Sequence, residues 1–247
     1  MLVVGQLAAS HGYASEDYAS DPFNPVVARD AWYLISKAES AYNIPTGLLH
    51  AMSLVETGRG VRGWMLPWPY TVGVNGTGTK SFNAPEAATQ QFVRWRALGF
   101  TRYNVSINGI CGSNLKATEV AARLATVKSP MAAISLEGKN FARRFNSAAE
   151  TEMFLSRLFA NGYNNVDVGM MQINWRVHGR HFRSVAEVLE PRANLRYAVN
   201  YLLAHRQTRD WWGSVGRYHS GTAVYANRYV KNVYNMYMRI HRANNNA

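Results

Sequence analysis

The sequence predicts a mainly helical fold of the α+β class, in which helices carry the core and one small β-hairpin sits among them. Three observations lead there. Apolar residues recur at helical spacing through most of the longer segments. One stretch, 70–82, instead shows short β-prone runs around a glycine-bearing turn. Hydrophobic residues make up 47% of the 247, enough for a sizeable core.

Residues 1–24 read as an N-terminal arm or the remnant of a signal peptide. They are mildly apolar up to Ala14 without a basic leader, then polar and acidic towards Pro22 and Pro25. The domain itself is expected over 25–247. A helix over 26–42 would bury Val27, Trp32, Ile35, Ala38 and Tyr42. A second helix follows over 45–57. Pro45 suits its first turn, Leu48, Leu49, Met52 and Val55 form its apolar stripe, and Gly58 and Gly60 stop it. Trp64, Trp68 and Tyr70 interleave with Pro67 and Pro69 before the expected hairpin, whose strands 70–74 and 79–82 flank Asn75-Gly76-Thr77-Gly78. Pro85 initiates a helix over 84–98. Residues 104–109 read as a loop, and 115–127, 131–145 and 148–159 as mainly helical. Towards the C-terminus, 191–205 and 210–218 are helical, with Trp211 and Trp212 expected in the core. Thr222 caps a last helix whose Tyr225, Tyr229, Val233 and Tyr237 recur every four residues.

The chain carries a formal charge of +12. Such an excess favours a polyanionic partner or surface, or serves solubility alone. Nucleic acid is disfavoured, because the sequence lacks zinc-finger spacing, RNA-binding aromatic motifs and dense Lys/Arg runs. The single cysteine, Cys111, permits neither an internal disulfide nor a thiolate metal cluster. His178-Gly179-Arg180-His181 matches no zinc signature, so no metal or other cofactor is expected. No apolar run approaches the ~20 residues of a membrane span, so no transmembrane segment is expected.

The chemistry centres on Glu56. It lies at the edge of an apolar helix face and at a helix C-terminus, where the macrodipole disfavours a second negative charge. Partial burial would also favour the protonated form, and a carboxyl group that keeps its proton near neutral pH can act as a general acid. The plain alternative is a solvated Glu at a frayed helix end. Two later segments bear on that choice: Gly169-Met170-Met171-Gln172, within the run from Asp167 to Asn174, and Tyr218-His219-Ser220-Gly221.

Glu56-Thr57 and these two segments, with Tyr229 on the last helix, resemble in order the catalytic-domain motifs of the soluble lytic transglycosylases. These are lysozyme-like bacterial enzymes that cleave cell-wall glycan. The resemblance covers about 44–74 and 166–237, so 100–162 is expected to be an insertion. It implies a lysozyme-like helical domain with the hairpin beside a substrate groove. It also implies peptidoglycan glycan strands as substrate, and a periplasmic or cell-envelope location. A branch of the family works with secretion and conjugation machines, and its similar Pro-Trp-Thr segment implies such a machine as a partner. Residue by residue, the resemblance implies Glu56 as the catalytic acid and then base. It places Thr57, Met171, Gln172, Asn174, Tyr218, His219 and Tyr229 at the substrate. His219 departs from the family's asparagine and brings a side chain that titrates near neutral pH.

Asp167 has two readings. It is expected to cap the short helix that follows, and alternatively it is a second carboxylate activating water, as in goose-type lysozymes. The latter would make the enzyme a muramidase, that is, a hydrolase. Asn174 and Gln172 have the plain alternative of capping a turn. A non-catalytic peptidoglycan-binding or assembly protein is the remaining alternative.

Overall fold

The computed structural model describes residues 25–61 and 64–245; the reading of 1–24 as an arm or leader lies outside them. The described chain is mixed α+β and dominated by helices. In order come α1 (Pro25–Ala41), α2 (Leu48–Thr57), β1 (Arg59–Val61), β2 (Trp64–Leu66), β3 (Thr71–Val74), β4 (Lys80–Phe82) and α3 (Pro85–Ala97). Then follow β5 (Arg102–Ile107), β6 (Ile110–Lys116), α4 (Ala117–Ala125), β7 (Ile134–Gly138), β8 (Phe141–Arg144) and α5 (Ala148–Ala160). The last part holds β9 (Val166–Val168), β10 (Ile173–Asn174), α6 (Trp175–His178), α7 (Val185–Leu189), α8 (Pro191–Arg206), α9 (Trp211–His219) and α10 (Ala223–Asn245). No described helix is long and apolar enough to cross a membrane.

The chain forms two compact units. One comprises the described residues of Met1–Val72, Arg144–Met153 and Val168–Ala247, and the other Gly73–Arg143 and Phe154–Asp167. The second unit therefore begins well before the insertion expected from residue 100.

The second unit differs most from expectation. The strands 71–74 and 80–82 both form, but in different sheets, so they are not a hairpin. β4 instead pairs antiparallel with β7, Lys80 opposite Leu136 and Phe82 opposite Ile134. The full sheet order is β4-β7-β5-β6. The expected helix over 131–145 is replaced by β7 and β8. Ile134, Leu136 and Gly138 are buried while Ser135 and Glu137 between them are half-buried, a period of two that only a strand satisfies. The expected loop at 104–109 is instead the end of β5 and, at Asn108-Gly109, the turn of a true hairpin from β5 to β6. Asn108 and Gly109 take φ of 50° and 83°, the left-handed pair that a two-residue turn between twisted strands requires. α3 packs on β7, its Phe92 and Trp95 buried with Phe100 and Tyr103. The Tyr103 hydroxyl donates to the Phe100 carbonyl at 2.6 Å, and burial pushes its pKa up to about 12.

In the first unit, α10 packs on α2 and α9, α8 on α9, and α1 on α2 and α8. Ile35, Leu48, Leu49, Met52, Val199 and Val233 meet in the core. Trp68 is buried in a cluster with Ala28 and Leu66, and its indole N–H donates to the Phe145 carbonyl at 2.8 Å. Tyr42, expected inside, is exposed, because α1 has already ended at Ala41.

α2 begins at Leu48 rather than in the turn of Pro45, and eight of its ten residues are buried. A buried helix start leaves N–H groups that water cannot reach. Glu39 of α1 fills that need. Its carboxylate, only 3% exposed, accepts from the backbone N–H groups of Gly47 at 2.8 Å, Leu49 at 2.7 Å and His50 at 3.2 Å. A carboxylate is also the charge that a helix N-terminus favours. His50 Nδ1 lies 3.1 Å from the same carboxylate, and its Nε2 is 3.2 Å from both the Trp32 carbonyl and the Ser36 hydroxyl.

Glu39→Gln keeps the shape but turns an NH₂ against backbone N–H donors. The variant is expected to lose about 2 kcal/mol of stability or more, read as a lowered urea midpoint. An unchanged midpoint would remove Glu39 from this role.

Candidate functional site

Glu56 sits in the last turn of α2, half-buried. Gly58 closes the helix, its N–H donating to the Leu54 carbonyl at 3.0 Å. The Arg144 guanidinium donates to the Gly58 carbonyl at 3.3 Å, bringing a cation to the negative end of the helix.

Behind Glu56, Thr57 is fully buried. Its hydroxyl is shared between the carbonyls of Ser53 at 3.1 Å and Met170 at 3.2 Å, and its oxygen accepts from the Trp68 N–H at 3.2 Å. Thr57 therefore staples α2 to the 169–172 segment from behind and offers no surface to a ligand. Met171 is likewise 0% exposed, so what it places at the site is backbone.

The 169–172 segment owes its shape to Asn194 of α8, a residue that the sequence reading passed over. This 1% exposed side chain donates to the carbonyls of Val168 at 2.9 Å and Val188 at 3.0 Å, and accepts from the Met171 N–H at 3.0 Å. All three of those sites on a buried amide are used. The signal was available: Asn194 precedes Ala198 by four residues on the buried stripe of an amphipathic helix. Gly169 makes the approach possible. Its φ is +83°, and a Cβ there would lie 2.3 Å from the Asn194 amide nitrogen. Gln172 also takes a left-handed φ, of 47°, uncommon for a residue with a side chain. Its amide donates to the carbonyls of Gly169 at 2.8 Å and Thr71 at 3.3 Å. Its side-chain oxygen is what remains to meet a ligand.

Tyr218 and Tyr229 make different contacts. The half-buried Tyr218 donates its hydroxyl to the Met171 carbonyl at 2.8 Å. Tyr229 is 4% exposed, and the Glu56 carboxylate is the ionisable group that acts on its hydroxyl most strongly, by charge and by hydrogen bonding. The hydroxyl meets no partner at full hydrogen-bonding geometry among the described residues. Burial first, and then the Glu56 charge, push the Tyr229 pKa well above its ordinary value. His219, exposed, stacks flat on the Tyr229 ring at 4.3 Å and 5°. Glu56, Tyr229, His219, Tyr218 and the Met170–Gln172 backbone are thus gathered in one unit.

Two further expected residues make contacts of other kinds. Asn174 caps α6, its side chain accepting from the Val177 N–H at 3.1 Å, the plain alternative of the sequence reading. Asp167 does not cap that helix. It belongs to β9, and its carboxylate accepts from the Asn75 amide at 2.9 Å. The reason is local: β-branched Val166 and Val168 flank Asp167 and are both fully buried, so the triplet is a strand with its middle residue turned the other way. His178 donates to or accepts from the Tyr197 hydroxyl at 2.8 Å and packs edge-on against Tyr201. Among the described residues no group of three His, Cys, Asp or Glu side chains is placed to hold a metal ion.

Comparison with known proteins adds no relative: no family model, curated protein or solved structure matches this chain.

Two outcomes follow from this geometry. Gly169→Ala forces a side chain into the Asn194 amide. It is expected to destabilise the unit by about 1–3 kcal/mol and to disturb the Met171 and Gln172 amide resonances. An unperturbed spectrum would show that the segment does not depend on Asn194. Tyr229 holds its proton more tightly folded than unfolded. Its contribution to stability is complete below pH 10.0, the unfolded value, and falls as pH rises above it towards the higher folded pKa. Tyr229→Phe should flatten that alkaline fall in melting temperature. Equal slopes for variant and wild type would sink the assignment.

Proposed function

We propose that the chain is a lysozyme-like, glycan-cleaving enzyme: a peptidoglycan lytic transglycosylase with Glu56 as its single acid and base. One observation carries the reading. A half-buried glutamate ends a buried helix with a buried tyrosine hydroxyl turned towards it, and a backbone segment bearing Gln172 is locked beside the same helix end. The motif order of the sequence and the charge of +12, suited to an anionic wall polymer, support it.

In this mechanism protonated Glu56 gives its proton to the glycosidic oxygen between N-acetylmuramic acid and N-acetylglucosamine. The substrate's own N-acetyl group stabilises the sugar cation. Ionised Glu56 then takes the proton of the C6 hydroxyl, which closes a 1,6-anhydro ring, and the carboxyl group returns to its starting state. The Tyr229 hydroxyl steadies the ionised carboxylate between the two transfers. The Gln172 oxygen offers an acceptor to an N-acetyl N–H. A second carboxylate, which ordinary glycosidases need, is not required. The reading places the enzyme in the bacterial periplasm or cell envelope, with a secretion or conjugation machine as the partner it would serve.

Mass spectrometry of purified peptidoglycan digested by wild type and by Glu56→Gln tests it. Anhydro-muramyl product from the wild type alone is expected, with a loss of at least about 100-fold in the variant. A reducing-end product would mean hydrolysis. Activity retained in the variant would end the role of Glu56.

A further inference from the structure

A groove of about 430 Å³ opens between α9 and α10, lined by residues other than those gathered around Glu56. The volume is that of a small-molecule site. Its base is where the helices touch: a Cβ on Gly216 would meet Val230 at 3.1 Å and Ala226 at 3.4 Å. Its lining includes the apolar side chains of Val230 and Trp212. Trp212 is half-buried rather than in the core, and its ring is held edge-on by Tyr234 at 5.3 Å and Tyr237 at 5.6 Å. Arg209, Arg217 and the Asn227 amide line it too, and no acidic residue is among the described residues that line the groove.

Both guanidinium groups are uncompensated. Among the described residues neither has a carboxylate partner; Arg209 donates only to the Thr208 hydroxyl at 2.7 Å. Asp210, at the start of the same helix, is engaged as its cap and accepts from the Gly213 N–H at 2.6 Å. The unopposed charge is felt nearby. The His205 pKa is lowered by burial first and then by Arg209 and Arg217, and its Nε2 is buried without a partner among the described residues.

A pair of arginine forks matches a planar anion, and an indole wall matches a carbon body. Inorganic phosphate would leave Trp212 and Val230 unused, and a neutral sugar would leave the arginines unused. We propose that this groove binds the carboxylate of a peptide-like ligand, with Arg209 and Arg217 on the carboxylate, Asn227 on the neighbouring amide and Trp212 against the side chain. The proposal does not depend on glycan cleavage.

Nuclear magnetic resonance titration of the full chain tests it by binding alone. The probes are N-acetyl-alanyl-phenylalanine with a free carboxylate, the same dipeptide amidated at its C-terminus, and inorganic phosphate. The free acid is expected to shift the Trp212 indole N–H and the Arg217 Nε–H signals. The amide, and the acid on the Arg209→Gln/Arg217→Gln variant, should each bind about tenfold more weakly or worse. Both arginines are exposed, so the double variant should keep the wild-type melting temperature. No shift with the free acid, an amide or phosphate that binds as well as the acid, or a folded double variant that binds unchanged would overturn the proposal.

Discussion

The first unit depends on a carboxylate buried against the start of a helix. α2 is enclosed along most of its length, so water cannot serve its first N–H groups, and Glu39 serves them from the neighbouring helix. The same carboxylate holds His50, which in turn ties back to the Trp32 carbonyl of α1. Three backbone donors and one ring on a single side chain allow α2 little freedom to slide or rotate. The direction in which α2 delivers Glu56, nine residues beyond Gly47 at the other end, follows from that anchor.

The far end of α2 is built by the opposite logic. There the helix dipole disfavours a carboxylate, and the surroundings soften the conflict without removing it: a cation from Arg144 on the Gly58 carbonyl and a tyrosine hydroxyl facing Glu56. Sites that perform proton transfer commonly carry such unresolved electrostatics. The neighbouring polar groups, by contrast, are fully satisfied. Thr57 and Asn194 are buried hubs whose hydrogen bonds reach residues distant in sequence, and they hold the backbone of 169–172 in a left-handed bend. Rigid support beneath a mismatched carboxylate is what a preorganised site requires.

Basic charge is distributed unevenly in its consequences. Most of the described lysines and arginines are exposed to solvent. Arg209 and Arg217 differ because they converge on one groove beside an indole, with the nearest acid on their helix occupied as a cap. Local arrangement, beyond net charge, is what sets these two apart.

The helices were largely legible from the sequence because their signals are local. Periodic apolar residues, Pro85 and Pro191 at helix starts and Asp210 as a cap each act within a turn or two of chain. The Glu56 helix and the grouping of Tyr218, His219 and Tyr229 near it were readable for the same reason, helped by motif order. Strand pairing was not. A strand such as 80–82 can pair with any exposed edge, and only the closed sheet gave it β7 in place of the adjacent β3. The Asn108-Gly109 turn was a local signal overlooked beside the more conspicuous glycines at 76 and 78. Burial also reassigned roles that residue type suggested: Thr57 and Met171 moved behind the site, Asn174 became a cap and Asp167 a strand residue in the other unit. The sequence by itself determined most of the helical segments, 131–145 apart, and which carboxyl group ends a buried one. Only the tertiary structure decided what faces that carboxyl group, because hydrogen bonds between residues more than 100 positions apart, as from Thr57 to Met170, leave no periodic trace in the chain.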